Sequence, residues 1–289
     1  MKASLDCIPC IQRQTIESLR MNIKDKKTRE KILRKVLGFL KKIDWSKTPI
    51  ELSNKVQLLV SKETGIKDPY KKVKKLSNDL ALKLYPRLKR IINSSSDPIN
   101  TAVRISIAGN IIDFGPQLKD RLDIKRAIQK VLKEKFDIDD YNELRRKLEK
   151  AKNLLFFADN SGEIVLDKLL IETILKFKKN LKITLVVRGG PSLNDVTIKD
   201  IKYIGLNKIP NIKIKAVSNG DPKTGPKLNS KEVESWIKNH DVVISKGQGN
   251  YEGLSQFKNI FFLLIAKCKI IGKELGVKEG GIILKYKRR

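Results

Sequence analysis

Three short polar stretches in the second half of the chain carry the side chains most suited to chemistry: Ala158-Asp159-Asn160-Ser161-Gly162-Glu163, Arg188–Asp195, and Lys246-Gly247-Gln248-Gly249-Asn250. Asp159, Asn160 and Asp195 offer two carboxylates and an amide carbonyl. All are hard oxygen donors, suited to Mg²⁺ or Mn²⁺ and unsuited to a dedicated zinc or copper site. Such an ion keeps waters and takes its remaining ligands from substrate phosphate. Lys246 with Gly247, Gly249 and Asn250 reads as an anion cradle, because glycines let the backbone approach an oxyanion. Neither a Walker A loop nor a dinucleotide fingerprint is present.

Each reading has a structural competitor. Asn160 and Glu163 have the spacing of a capping box. Asp195 suits the N-cap of a helix over Val196–Gly205. Asp159 precedes the cap position at a strand end, where its competitor is a hydrogen bond to a neighbouring loop. The Lys246–Asn250 stretch is otherwise a Gly-rich loop beside a surface lysine. Asn110 and Asp113, three apart in a helical pattern, can face the same way. They reach either the sheet edge or another helix. Gly109 beside them costs helix stability and so requires a packing or functional reason.

The elements that position these groups are legible. After residue 151 the apolar runs are short and β-branched: Leu154–Ala158, Ile183–Val187, Ile212–Val217, Val242–Ile244 and Ile260–Ile265, with Ile282–Tyr286 a further terminal strand. Helical segments fall between several of them, at Ile164–Phe177, Val196–Gly205 and Lys231–Asn239. This alternation predicts an α/β fold with a largely parallel sheet covered by helices. The three polar stretches each follow a strand, so a parallel sheet brings them to one edge, where ligands bind in such folds. Residues 1–150 read as mostly helix, with segments over Ile11–Met21, Thr28–Ile43, Ser53–Glu63, a long one from Pro69 interrupted by Pro86, one starting at Asp97–Pro98 and stopping at Gly115–Pro116, then Ile124–Phe136 and Tyr141–Ala151. The expected division is a helical domain over 1–150 and a Rossmann-like α/β domain over 151–289.

The chain has 289 residues, is 40% hydrophobic and carries a net charge of +30. That charge raises the possibility of polyanion binding. It is spread over both halves and interleaved with Ile, Leu and Glu, which fits a charged surface rather than a specific nucleic-acid site. No apolar run reaches transmembrane length, and the N-terminus lacks a signal-peptide core, so a cytoplasmic protein is expected. Cys7 and Cys10 form a C-x-x-C at a helix start. With Cys268 and His240 the only further soft ligands in sight, reduced thiols are the expectation. A Ser–His–Asp hydrolase is disfavoured because G-x-S-x-G does not occur.

Taken together, Cys7/Cys10, Thr64–Tyr70, Ala108–Asp113, Ala158–Glu163, Pro191–Asp195 and Lys246–Glu252 resemble the motifs of the metal-dependent damage-control phosphatases, formerly a domain of unknown function, in the mainly prokaryotic branch with an N-terminal C-x-x-C. The resemblance spans nearly the whole chain. It implies a helical part joined to a Rossmann-like part and hydrolysis of phosphate monoesters of small metabolites, supported by Mn, Mg, Co or Ni. It implies Asp159, Asn160 and Asp195 as metal ligands and Lys246 as a phosphate contact, with Asn250 in the same motif. Asn110, Asp113, Ser161, Gly162 and Gly247 would surround the substrate, with Lys246 and the backbone N–H groups around Ser161–Gly162 and Gly247–Gly249 stabilising charge and Glu163 activating water; direct attack by Asp159, through an aspartyl-phosphate, is the rival mechanism. A non-catalytic binder of phosphorylated metabolites or of nucleic acid is the competing function.

Overall fold

The computed structural model describes residues 1–111 and 128–288. Asp113, the stop at Gly115–Pro116 and the start of Ile124–Phe136 lie outside the described residues.

The N-terminal part is built of α1 (Cys7–Asn22), α2 (Lys26–Leu40), α3 (Pro49–Thr64), α4 (Lys71–Asn93) and α5 (Pro98–Ile111). Their ends follow local chemistry. Thr48 and Glu51 form a capping box at the start of α3, and Gly65 ends that helix in the left-handed region at φ 70°. Asp97 accepts from the Asn100 N–H at 3.1 Å, as an N-cap does. Pro86 lies inside α4 without ending it.

Next come β1 (Ile138–Asp139), α6 (Tyr141–Lys150), β2 (Asn153–Phe157), α7 (Glu163–Phe177), β3 (Lys182–Arg188), α8 (Ile198–Tyr203), β4 (Ile212–Val217), α9 (Lys231–Lys238), β5 (Val242–Lys246), α10 (Gln248–Leu254), β6 (Ile260–Ile265), α11 (Lys269–Leu275) and β7 (Ile282–Lys287). The sheet order is β1-β7-β6-β5-β2-β3-β4. Only β7 against β6 is antiparallel. The largely parallel α/β sheet expected from the sequence is therefore present.

β2 is central and buried on both faces, as a parallel strand between helical layers must be. Leu154 and Phe156 join one apolar cluster; Leu155 and Phe157 join the other. The first cluster also contains Leu88, Ile105 and Ile107 from α4 and α5, so residues on both sides of position 150 share one core. A separate, smaller cluster unites α1, α2 and α3.

From β2 the chain runs outward through β3 to β4, then returns with β5 on the other flank of β2. The order reverses between β2 and β5. In open parallel sheets the crevice at the carboxyl ends of two such strands is where ligands sit. Here those ends are Phe157–Asp159 and Lys246–Gly247.

Candidate active site

Asp159 lies just past β2 and is buried. Its Oδ2 accepts from two amides, Asn110 Nδ2 at 3.1 Å and Asn160 Nδ2 at 2.7 Å. Among the described residues no Lys, Arg or His pairs with it. Burial raises its pKa well above the ordinary carboxylate range, and the charges of Glu163 and Asp195 add to the rise; Lys267 and Arg188 oppose it. Asp159 is thus a buried acid short of positive charge.

The turn after Asp159 is tied to the loop before α8. Asn160 and Asp195 form an antiparallel bridge, and the Val196 N–H donates to Asp159 O at 2.9 Å. This pairing sets Asp159, Asn160 and Asp195 side by side. The capping alternatives fall away. The N-cap of α7 is Gly162, at φ 82°, with no side chain capping it. Asn160 turns its NH₂ to Asp159 and, at 3.5 Å, to Glu163, while its side-chain oxygen accepts no hydrogen bond among the described residues. The N-cap of α8 is Thr197, which forms a capping box with Asp200. Asp195 instead accepts from Arg188 Nε at 2.8 Å, and burial, partly offset by Arg188, raises its pKa.

Asn110 comes from α5 and reaches the sheet edge. Besides Asp159 it donates to Glu163 Oε2 at 3.2 Å, and its Oδ1 accepts from the Ile265 N–H at 3.3 Å. Gly109 is explained by the same approach: a Cβ there would stand 3.0 Å from Glu163 Cγ. Asn250 is also brought in. It donates to Ala158 O at 2.9 Å and accepts from Arg188 Nη2 at 3.2 Å.

Lys246 departs from the expected cradle. Its side chain is fully buried, and its ammonium donates to Glu163 Oε1 at 2.7 Å, Asp167 Oδ1 at 2.7 Å and Ser106 O at 2.9 Å. Three donors meet three acceptors, so no N–H is left for a phosphate in this arrangement. Burial opposes the charge, but Asp167 and Glu163 outweigh it and the Lys246 pKa is raised. The cause of the departure is the inward alternation of β5, whose every residue is buried. The glycine loop is short as well, because α10 already begins at Gln248.

The expected N–H donors are also committed elsewhere. Ser161 N–H donates to Asn194 O at 2.9 Å, Gly162 N–H to Asn78 Oδ1 at 2.7 Å and Gly247 N–H to Leu263 O at 3.1 Å. The Ser161 hydroxyl donates to Asp200 at 3.2 Å. These groups build the turn instead of facing an anion. Gly247 serves the site through its missing side chain. At φ 77° it lets Asp159 pass where a Cβ would overlap the carboxylate.

Three residues of this region escape a reading by motif. Asp167 lies four residues after Glu163 on the otherwise apolar start of α7, a spacing that puts both acids on one face. Arg188 ends β3, where an arginine after Ile, Leu and Val marks a buried cation. Lys267 follows β6, whose carboxyl end lies on the same edge because β6 is parallel to β5. Lys267 is exposed, and it makes no ion pair among the described residues. Its charge acts on Asp159, lowering that group's pKa against the larger effect of burial.

The donor set fits a hard divalent ion. Among the described residues no three His, Cys, Asp or Glu side chains form a metal cluster by themselves. A site here would rest on two carboxylates and the unengaged Asn160 oxygen, with open positions for water and substrate. Cys7 is buried and Cys10 exposed at the start of α1, and neither is in a disulfide. His240 bonds Trp236 O and Thr184 Oγ1, away from these residues.

Comparison with known proteins gives a consistent picture. Residues 3–283 match the damage-control phosphatase ARMT1-like domain. A damage-control phosphatase of Pyrococcus horikoshii is 33% identical over 98% of this chain and 97% of its own. Another from Archaeoglobus fulgidus is 33% identical over 84% of each chain. The crystal structure of a DUF89 family protein from Pyrococcus horikoshii superposes with a TM-score of 0.87 at 30% identity, covering all of both chains.

Proposed function

Because the chain belongs to the damage-control phosphatase ARMT1-like family, we propose that it is a divalent-metal-dependent phosphatase acting on phosphate monoesters of small metabolites, in the branch that carries an N-terminal C-x-x-C. The observation that carries the reading is Asp159: a buried carboxylate at the switch point of the sheet, without a cationic partner among the described residues, beside Asn160 and Asp195.

Asp159, Asp195 and the Asn160 oxygen would hold the ion. When bound, Mg²⁺, Mn²⁺, Co²⁺ or Ni²⁺ would supply Lewis-acid polarisation of a phosphoryl oxygen. The chain's own residues do the rest. Arg188 holds Asp195 in place from one side, and Asn110 holds Asp159 from the other. Lys246 fixes Glu163 and balances its charge, leaving Glu163 Oε2 turned toward the Asn110 and Asn160 amides. From there Glu163 accepts the proton of an attacking water. Lys267 attracts the dianionic ester and stabilises the charge that builds on its oxygens.

The test is phosphate release from a panel of sugar phosphates and other small monoesters, with each of the four metals and with chelator. Activity that needs metal and disappears in Asp159→Ala supports the reading. Full activity in that variant, or none with any metal, removes it.

A further inference from the structure

Next to the proposed metal residues lies a second feature that the hydrolysis of a simple monoester does not use. Arg188 is 4% exposed and its guanidinium is only partly engaged. Nε donates to Asp195 and Nη2 to Asn250, while Nη1 is buried with no hydrogen-bond partner among the described residues. An unsatisfied buried donor on a charged group is costly and calls for an explanation.

The same side chain lines a cavity of about 150 Å³ between α3, the end of β4 and α10. The space is large enough for a small polar head group. Its wall is rich in donors. The Ser192 hydroxyl donates to the Asn54 oxygen at 2.8 Å, and the Asn54 NH₂ has no acceptor among the described residues. Lys55 and Lys227 stand exposed at the wall, without ion pairs among the described residues. The carboxylate of the lining, Glu51, accepts from the N–H and hydroxyl of Thr48 with one oxygen, Oε2, both at 3.0 Å, and its charge is outnumbered by Arg188, Lys55 and Lys227.

We propose that this cavity is a specificity pocket for a second anionic group of the substrate, a carboxylate or a further phosphate, bound by the spare nitrogen of Arg188 with Asn54, Lys55 and Lys227. The proposal rests on the phosphatase reading, and it narrows the substrate class to small phosphate esters with a second anion a few carbons from the first. Arg188 joins the two subsites, with one nitrogen on Asp195 and another free for the tail. A substrate seated this way meets the same guanidinium that holds Asp195, which fixes the orientation of the scissile ester toward that carboxylate.

Binding of unreactive phosphonates tests the pocket without turnover. Propylphosphonate is compared with phosphonopropionate and with propane bisphosphonate by calorimetry, with Mg²⁺ present. One charge-assisted contact predicts at least about tenfold tighter binding of an anionic-tailed probe than of propylphosphonate. The two tailed probes tell carboxylate from phosphate. The double variant Lys55→Ala/Lys227→Ala reduces the ratio to within about twofold and leaves the propylphosphonate Kd unchanged. Lys176→Ala/Lys179→Ala, in the last turn of α7 and just past its end, away from the site, leaves the ratio intact and controls for the general positive charge.

Equal affinity for all three probes, or parallel weakening in both double variants, overturns the pocket. Release of phosphate from p-nitrophenyl phosphate is followed separately. Its absence with every metal, alongside an intact affinity ratio, refutes the hydrolytic reading and the substrate assignment built on it, while the anion site stands.

Discussion

Gly247 and Asp159 are packed so closely that a Cβ on Gly247 would overlap the Asp159 carboxylate and stand 2.8 Å from its Cβ. The contact joins the carboxyl ends of β2 and β5, where the strand order reverses. Gly247→Ala therefore has two faults, a displaced Asp159 and an Ala held at φ 77°. A shift of about 1 Å at a reacting centre costs roughly 100-fold in rate. The expected result is a fall in kcat of that order or more, with a stability loss of about 1–3 kcal/mol from overpacking. Steady-state kinetics and a urea titration read the two effects; unchanged kcat would show that Asp159 does not need its present position.

Asp159→Asn separates the site's chemistry from its stability. The carboxylate is raised by burial first and by Glu163 and Asp195 next. A neutral amide of the same shape removes the desolvation and the repulsion, so the metal-free variant has a Tm equal to or above the parent's. Phosphate release is lost, and so is any rise in Tm on adding Mn²⁺. A variant that unfolds at lower temperature while still responding to Mn²⁺ would contradict the assignment of Asp159 as a ligand.

Much of this site was legible before the fold. Asp159 and Asn160 stand out because polar residues interrupt an apolar strand, and Asp195 because a second strand ends the same way. Asn110 was legible as a polar residue on an apolar helical face, though the sequence left its target open. Strands β2 to β7 lie nearly where the apolar runs place them, because a strand buried on both faces reads as such a run; β1 has only two residues and no run to mark it. The burial of Lys246 has no local sign: a loop of Gly and Lys looks solvated, and nothing nearby tells that its acceptors are Glu163, Asp167 and Ser106, up to 140 residues away in the chain. The committed N–H groups of Ser161 and Gly162 were equally hidden, since their acceptors come from Asn194 and Asn78.

The Lys246 cluster predicts a stability effect distinct from the ligands. Lys246→Met leaves Glu163 and Asp167 buried without their cation, with exposures of 0% each. Breaking one side of a buried pair costs about 3–5 kcal/mol. Ser106→Ala removes a 2.6 Å bond to Asp167 and costs less, about 1.5–3 kcal/mol. Urea denaturation of the metal-free protein checks the order. Equal, small losses in both would mean that the carboxylates are neutral in the folded state.

Thr197 and Asp195 test the helix-cap question directly. Thr197 caps α8 in a box with Asp200, so Thr197→Ala costs about 1 kcal/mol while leaving phosphate release above half of the parent's. Asp195→Asn does the reverse, removing activity without loosening α8. Hydrogen exchange of the α8 amides, measured beside kcat, distinguishes the two roles; faster exchange at α8 in Asp195→Asn would restore the capping assignment.

Glu252 gives the fold a pH dependence that is independent of the metal residues. It sits on α10 against α3, is buried, and its pKa is raised from 4.5 to about 7, chiefly by burial, with the Gln248 amide partly offsetting the rise. The folded state therefore favours the protonated acid. Its contribution to stability is fully present below 4.5 and is lost as pH rises through 7. The shift of about 2.5 units corresponds to roughly 3 kcal/mol between acid and alkaline limits. Glu252→Gln keeps the shape and cannot ionise, so its stability exceeds the parent's by about that amount at pH 8 and matches it near pH 4. Urea titrations across that range on both proteins check the prediction; parallel curves at all pH values would mean that Glu252 titrates normally in the fold.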